Sequence, residues 1–166
     1  MDKQPWDSSN AKAKELELPD FGLPEEIRKL AKPHRTAHNR YEAKVILKEI
    51  LQRGPVVSKT GLSARLTSET IGKLISSDAL NKSYDKILHY CALANLDRLF
   101  SLAIEPWEFE LNPNKNNQGI KARHYLYAPF EYQGSIRIVK FTVKEYQAGI
   151  TNKLYSLEAL DIIVSG

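Results

Sequence analysis

The spacing of apolar residues changes at Pro106, and this change limits the folds that the chain can adopt. Before Pro106 they recur every three or four positions, as on amphipathic helices, whereas from Trp107 to Leu111 they alternate with acidic residues, as on strands. Further alternating segments follow, separated by turn residues. This order predicts an α+β fold, with N-terminal helices packed on a four-stranded antiparallel sheet formed by the C-terminal third.

The third predicted strand, about residues 135–145, has the clearest alternation. It divides into an apolar set and a polar set, which are Val139, Phe141 and Val143, and Lys140, Thr142 and Lys144. Because successive side chains of a strand point to opposite faces, one set is expected to pack against the helices and the other to face solvent or a cleft. The other strands are predicted at about residues 107–111, 120–128 and 153–164.

Helices are predicted at about residues 24–32, 36–53, 68–76 and 83–103. The second of them has one apolar face and another with cations at every fourth position, Arg40, Lys44 and Lys48. The last is apolar around much of its circumference, so we expect it to be the central core helix. If this helix is buried, its polar residues, His89 and Asn95, must form hydrogen bonds within the protein.

Composition excludes several classes of protein. No segment has the roughly 20 consecutive apolar residues of a membrane span, so none is predicted. The single cysteine, Cys91, lies in a helical pattern, so we expect neither a disulfide framework nor a thiolate metal site. The net charge is +4, and the cationic excess is largest in residues 21–66, a pattern found both in proteins that bind polyanions and in proteins that do not.

The chain is predicted to have three parts. Residues 1–20 are polar, mixed in charge and without a period, so we expect a disordered tail or linker there. Residues 21–66 are expected to form an accessory helical segment, and residues 67–166 the α+β domain.

Polar side chains of the predicted sheet have the types needed to cleave RNA without a metal. The second strand carries Lys121, Arg123 and His124, and the fourth carries Tyr155 and Glu158. RNA supplies its own nucleophile, the 2′-hydroxyl, so cleavage needs a base, an acid and cations for the phosphate. A solvated sheet face is the ordinary alternative. Tyr155 and Glu158, three positions apart, should point to opposite faces unless a bulge intervenes.

Other kinds of site have no motif in the sequence. GxGxxG, GxxxxGK[ST], HExxH and GxSxG are absent, which argues against nucleotide-fold, zinc-protease and serine-hydrolase sites. His34 and His38 have a spacing that can hold a metal on a helix, but no carboxylate stands at a supporting position, so we interpret them as a surface pair and expect no metal and no cofactor. His89 is a satisfied core histidine or, if it projects towards the sheet, a catalytic candidate.

Two stretches resemble the phage-associated domains at the ends of portal-linked head-morphogenesis (MuF-type) proteins and in large polyvalent phage proteins. They are IGKLISSDALNKSYDKILHYCALANLDRLFSLA and KARHYLYAPFEYQGSIRIVKFTVKEYQAGITNKLYSLEALDI, about residues 70–163. The shared features are a Gly-Lys pair and a serine before the long helix, a histidine within it, a His-Tyr pair, a VKxTVKE strand and a closing LYSxE strand. In this sequence they lie at Gly72 and Lys73, His89, His124 and Tyr125, residues 139–145 and residues 154–158.

Such domains are similar to the barnase, EndoU, colicin and RelE-like nucleases, in which helices precede a four-stranded antiparallel sheet that carries a metal-independent RNase site. The resemblance implies a nuclease-like domain in a toxin or effector, cytoplasmic or delivered into a target cell. Its substrate would be RNA, either tRNA or mRNA, and an immunity or antitoxin protein would neutralise it. Ten residues are then predicted to act, the catalytic His124, His89, Lys140, Thr142, Tyr155 and Glu158, and the substrate-binding Arg123, Lys121, Lys144 and Lys73.

Two other functions are weighed against the ribonuclease. A non-catalytic module of a phage or mobile-element protein can use the same basic sheet to hold nucleic acid or a protein partner. An ADP-ribosyl-transferring toxin is disfavoured, because the chain has no ordered series of Arg, Ser-Thr-Ser and Glu-x-Glu, and the EFE at residues 108–110 is the nearest element to it.

Overall fold

The computed structural model describes residues 24–83, 85–106, 110–111, 120–148 and 152–163. Helices come first: α1 (Glu25–Ala31), α2 (Arg40–Gln52), α3 (Ser68–Leu74), α4 (Ser77–Lys82), α5 (Lys86–Ala94) and α6 (Leu96–Leu102). Two short strands, β1 (Val56–Val57) and β2 (Ser63–Ala64), lie between α2 and α3, and β3 (Glu110–Leu111), β4 (Ile120–Tyr132), β5 (Ser135–Ala148) and β6 (Asn152–Ile163) follow α6. The predicted α+β class, with helices N-terminal to an antiparallel sheet, is confirmed. The predicted tail, residues 1–20, lies outside the described residues.

The sheet is an antiparallel meander of three long strands, in which β5 pairs with both β4 and β6. Gln133 and Gly134 form the turn between β4 and β5, and both have positive φ, 51° and 80°, as a two-residue type I′ hairpin requires. The two residues of β3 pair with Arg123 and Ala122 of β4. Residues 107–109 lie outside the described part of the chain, so a fourth strand of full length stays a prediction.

The alternation predicted for β5 is confirmed. Its apolar set is fully buried under the helices, and its polar set is half-exposed on the other face. Phe100 of α6 packs edge-to-face on Phe141, with 5.1 Å between the ring centroids. The hydrophobic core therefore lies between the helices and one face of the sheet.

One continuous core joins the first helices to the sheet. It includes Ala43, Leu47 and Ile50 of α2 together with Phe141 of β5. The separation of an accessory segment, residues 21–66, from a domain at residues 67–166 stays a prediction. Within the described residues, no helix has the length and apolar character needed to cross a membrane.

The long helix predicted over residues 83–103 is wrong in its start and in its continuity. The helix cap is Asp85, whose Oδ1 accepts hydrogen bonds from the backbone N–H groups of Ile87 and Leu88. The helix is then interrupted at Asn95, where the backbone leaves helical geometry and α5 gives way to α6. Burial of Asn95, which was predicted, explains the interruption, because its side chain must find polar partners.

The Asn95 side chain ties the segment before α2 to the core. Its Oδ1 accepts hydrogen bonds from the backbone N–H groups of His34 and Arg35, at 2.8 and 3.1 Å. Its Nδ2 donates to the carbonyl oxygens of Arg35 and Cys91, at 2.9 and 2.8 Å. With Asn95 only 1% exposed, one buried amide satisfies four backbone groups of the protein.

Replacing Asn95 by alanine is expected to lower the free energy of unfolding by about 2 kcal/mol, because several buried backbone groups lose their partners. Urea denaturation measures the change. The matched control is Asn39→Ala, which removes only the exposed α2 cap that bonds to the Glu42 N–H and is expected to lower stability by about 1 kcal/mol. Equal losses in the two variants would contradict the buried role of Asn95.

The outer edge of β6 is partly covered by the segment that connects β2 to α3. The Arg65 N–H donates to the Tyr155 carbonyl at 2.8 Å, and the Leu157 N–H donates to the Arg65 carbonyl at 3.0 Å. Helix α3 follows, and reciprocal hydrogen bonds between Thr67 and Thr70 cap it. Its buried face packs towards β6, so Lys73 in its last turn is held beside that strand.

A β-bulge interrupts β6 at Glu158. Thr142 pairs with Ala159 and Val143 pairs with Leu157, so Glu158 is the extra residue between them. The contacts of Glu158 lie on the Lys144 side of the sheet, whereas Tyr155 contacts His124 on the helix side. Tyr155 and Glu158 therefore reach different clefts.

Candidate functional site

A buried carboxylate on β6 gathers side chains from three elements. Lys73 Nζ of α3 lies 2.6 Å from Glu158 Oε1, and Lys144 Nζ of β5 lies 3.6 Å from the same oxygen. The Ser156 hydroxyl donates to Glu158 Oε2 at 2.7 Å. The side chain of Glu158 is 7% exposed, against 45% for that of Lys73. We call Glu158, Lys73, Lys144 and Ser156 the Glu158 cluster.

Opposing effects set the charges of the Glu158 cluster. Burial raises the pKa of Glu158, but the hydrogen bonds from Lys73 and Ser156 and the charges of Lys73 and Lys144 outweigh burial and hold that pKa below its ordinary range. The hydrogen bond with Glu158 raises the pKa of Lys73. At neutral pH the cluster is therefore an ionised carboxylate held by lysine ammonium groups.

The Glu158 cluster borders a cleft of about 480 Å³ between α3, α4 and β6. Tyr146 lies close enough to Glu158 and Lys73 to interact with them electrostatically, and Arg123 interacts with Tyr146 in the same way. Burial and the charge of Glu158 raise the pKa of Tyr146, so its phenol keeps its proton at neutral pH. Arg123 is the register partner of Lys144 on the neighbouring strand. Several cations, a carboxylate and a phenol thus share one end of the sheet.

A second buried charge site, on the helix side of the same end of the sheet, centres on His124. Its Nδ1 lies 2.7 Å from Glu105 Oε2, and its Nε2 lies 2.8 Å from Glu145 Oε1. Because ionised carboxylates only accept hydrogen bonds, both ring nitrogens donate and the ring is an imidazolium. Burial lowers the pKa of His124, but the hydrogen bonds and charges of the two carboxylates outweigh burial and raise it.

His124 lines a cleft of about 700 Å³ together with Tyr155 and Arg65. The His124 and Tyr155 rings meet edge-to-face, with 5.5 Å between their centroids. The sequence placed these two rings on different strands without showing that they touch. Glu105 was missed altogether, because it lies in a loop and no pattern links a loop carboxylate to a strand histidine 19 positions away.

His89 is buried in the core, and its ring nitrogens bond within the protein. Its Nε2 donates to the Leu74 carbonyl at 3.0 Å, and Ser83 Oγ lies 2.6 Å from its Nδ1. Since Nε2 carries the proton in a neutral ring, Nδ1 accepts from the Ser83 hydroxyl, which in turn accepts from the Ile162 N–H. Burial lowers the pKa of His89, in keeping with a neutral ring that joins α5 to α3 and β6.

The other predicted site residues do not all meet. Lys140 and Thr142 lie on the Lys144 face of β5, whereas His124 lies on the opposite face with its register partner Val143. Lys140 Nζ lies 5.4 Å from the centroid of the Tyr125 ring, and Lys121 is exposed on β4. The structure therefore brings together Glu158, Lys73 and Lys144, and separately His124 and Tyr155, but it does not place His89, His124 and Lys140 in one cleft.

The family model of large polyvalent protein-associated domain 3 matches residues 34–155. The chain belongs to this family. The resemblance to polyvalent-protein domains is thereby confirmed, and it indicates a protein of a phage or mobile element. No curated protein and no solved structure matches the chain significantly.

Three of the segments on which the resemblance rests contribute side chains to the Glu158 cluster. The Gly-Lys pair supplies Lys73, the VKxTVKE strand supplies Lys144, and the closing LYSxE strand supplies Ser156 and Glu158. The contact between Lys73 and Glu158 spans 85 positions of sequence, which no local pattern predicts. Ser156 was missed as a site residue, although the LYSxE motif contains it. The family match ends at residue 155, just before this last part of the cluster.

Two other kinds of site, a metal centre and a reactive thiol, concern the His38 and Cys91 side chains. Among the described residues, no three or more His, Cys, Asp or Glu side chains are arranged to hold a metal ion. His38 Nδ1 lies 3.2 Å from Glu42 Oε1 at the exposed start of α2, so a carboxylate that was not expected from the sequence lies beside His38. Cys91 is buried, and burial raises the pKa of its thiol to about 11, which keeps it protonated.

Proposed function

We propose that this domain is an endoribonuclease of phage-associated or toxin type, which cleaves RNA through attack of the 2′-hydroxyl without a catalytic metal. The observation that carries the proposal is the Glu158 cluster, in which two lysines from different elements flank one buried carboxylate beside a cleft. A base and fixed cations are what this reaction needs. Further support comes from the order of the elements, since helices precede an antiparallel sheet as they do in the barnase, EndoU, colicin and RelE-like nucleases. We also propose that the sheet has a fourth strand of full length, as it does in those nucleases.

In the proposed step, Glu158 accepts the proton of the 2′-hydroxyl while the 2′-oxygen attacks the adjacent phosphorus. The bond from phosphorus to the 5′-oxygen breaks, which leaves a 2′,3′-cyclic phosphate and a 5′-hydroxyl. The departing oxygen takes its proton from the Tyr146 phenol, whose raised pKa keeps it protonated until that moment. Glu158 and Tyr146 thus act as base and acid.

The lysines of the Glu158 cluster are proposed to stabilise the charge of the phosphate. Lys73 lies 2.6 Å from Glu158 in the free protein, and it would turn to a bound phosphate oxygen. That movement weakens the hydrogen bond that lowers the pKa of Glu158, so the carboxylate becomes a stronger base when substrate is present. Lys144 and Arg123 add positive charge from the neighbouring strands.

The histidines take no part in this proposed step. Each ring nitrogen of His124 and of His89 already bonds to a protein group, so we assign both residues to positioning. Lys121 keeps its proposed role in binding the RNA strand. Lys140 and Thr142, which the sequence predicted to be catalytic, are assigned to binding the strand as well. Tyr155 lines the neighbouring cleft and is proposed to contact a flanking nucleotide.

Purified protein is expected to cut RNA in the presence of EDTA and to leave 2′,3′-cyclic phosphate and 5′-hydroxyl ends. Mass spectrometry of the products identifies these ends. DNA of the same sequence is the control, because it lacks the 2′-hydroxyl and should stay intact. Cleavage that needs an added divalent ion, or that leaves 5′-phosphate ends, would contradict the proposal.

A non-catalytic binding module is the second candidate, favoured by the ion pairs that already occupy Lys73, Glu158 and His124. Such a module would bind RNA, or a partner such as an immunity protein, and leave RNA intact. Lys140→Ala and Lys144→Ala would then weaken binding alike. In a nuclease, by contrast, Lys144→Ala should lower kcat more than Lys140→Ala, because Lys144 lies 3.6 Å from the proposed base.

A further inference from the structure

Helix α2 has an exposed basic and aromatic face outside the Glu158 cluster. Arg40, Lys44 and Lys48 follow one another at every fourth position and are all exposed. Tyr41, next to Arg40, is 75% exposed. Residues four apart share one side of a helix, so the cations form a row of about 12 Å beside the tyrosine ring. We call these four residues the α2 face.

The cations of the α2 face make no ion pair with any other described residue. Nearby arginines do pair, since Arg35 and Arg53 both contact Asp97. Like charges four apart on a helix repel each other and destabilise it. The row therefore carries a positive potential that no ion pair with another described residue offsets, and a bound anion would stabilise it.

A cleft of about 400 Å³ opens beside the α2 face, lined by Tyr41, His38, Thr36 and Val45 among others. Proteins that bind single-stranded nucleic acid combine an aromatic ring, on which a base stacks, with a row of cations beside it. The cations follow the phosphates of the backbone while a base stacks on the ring. A flexible strand with one charge per nucleotide fits this combination, because its phosphates can follow the row while one of its bases reaches the ring.

The C-terminal end of α2 also lies close to the sheet site. Pro55, just after α2, lines the cleft of His124 and Tyr155. The connection from Arg65 then reaches β6 within three residues of Glu158. A strand held along α2 could thus extend towards the proposed catalytic end of the sheet.

We infer that the α2 face binds single-stranded RNA, with Arg40, Lys44 and Lys48 on neighbouring phosphates and a base stacked on Tyr41. That the bound polymer is RNA rests on the proposed function, but binding to the α2 face does not require that the RNA is cleaved.

Binding of a 2′-O-methyl RNA oligonucleotide tests this inference, because that probe lacks the nucleophile and stays intact. Fluorescence anisotropy is measured over a series of salt concentrations. Combined Arg40→Ala, Lys44→Ala and Lys48→Ala is expected to weaken binding at least tenfold at low salt. It should also reduce the slope of log Kd against log salt by about 2, since each phosphate contact on a single strand contributes roughly 0.7. Tyr41→Ala is expected to weaken binding about tenfold at an unchanged slope, because stacking is not ionic.

The matched control is a triple variant, Lys29→Ala, Lys59→Ala and Lys86→Ala, which removes the same amount of charge from exposed lysines elsewhere. Circular dichroism verifies the fold of all variants. Equal losses in the two triple variants would overturn the inference, as would a Tyr41→Ala variant that binds like the wild type. Competition by polyglutamate as strong as that by RNA would indicate an acidic protein partner and also overturn it. A protein that binds the probe as expected but leaves natural RNA intact would refute the proposed function alone.

Discussion

Replacing Glu158 by glutamine is expected to lower kcat for RNA cleavage at least about 100-fold. Glutamine keeps the size of the side chain, but its amide cannot take up the proton of the 2′-hydroxyl. Lys73 and Lys144 remain to hold the phosphate, so KM should change far less than kcat. Steady-state cleavage of a fluorogenic RNA substrate separates the two parameters.

The matched control for Glu158→Gln is Glu69→Gln. Glu69 also contacts Lys73, at 3.7 Å, but its side chain is 81% exposed, so its loss should leave kcat within about a factor of two. Equal activity of the two variants would show that Glu158 is not the base.

The pH dependence of RNA cleavage is a second test of the role of Glu158. Although burial raises the pKa of Glu158, Lys73 and Ser156 lower it more, so wild-type activity should decline at acid pH, where the base becomes protonated. A second decline is expected at strongly alkaline pH, where Tyr146 loses its proton.

Replacing His124 by alanine is expected to lower the free energy of unfolding by about 3 kcal/mol near neutral pH. The imidazolium bridges Glu105 and Glu145, whose side chains are 21% and 10% exposed. Without it, these two largely buried carboxylates lose the cation that they share. Urea denaturation measures the loss, and His38→Ala is the control, because His38 makes an exposed pair with Glu42 whose loss should matter little.

The effect of His124→Ala should depend on pH in a defined direction. Burial lowers the pKa of His124, but the carboxylates raise it more, so its folded pKa exceeds its unfolded value of 6.5. The stability from the charged ring is then fully present below the unfolded pKa and is lost as pH rises through the folded one. The difference between wild type and variant should therefore be largest below the unfolded value of 6.5 and shrink as pH rises through the higher folded pKa. A constant or growing difference would contradict the charged bridge.

The sequence predicted those elements whose period is long and unbroken. The alternation of β5 and the amphipathic pattern of α2 each repeat often enough to indicate both the element and its buried face. The interruption at Asn95 was missed, because a single polar residue in an apolar helix has the same pattern whether it faces a cavity or breaks the helix. Only its four backbone partners, most of them about 60 positions away, decide between the two.

The candidate site was predictable as a set of residue types but not as a geometry. Lys73, Lys144 and Glu158 were all predicted to act, yet their contact depends on the placement of α3 against β6 and on the bulge at Glu158. His124 looked like a free imidazole because Glu105 and Glu145 come from separate parts of the chain. Strand alternation limits which face a side chain takes, and long-range packing decides what it meets there.

The hydrogen bonds of Arg65 to β6 also bear on self-association. A strand at the margin of a sheet can pair with the same strand of another molecule and so begin aggregation. Here the backbone of Arg65 occupies the groups of Tyr155 and Leu157 that such pairing would use. Detachment of Arg65 from β6 would uncover them, so a form of the protein that has lost these two hydrogen bonds should be less soluble than the intact fold.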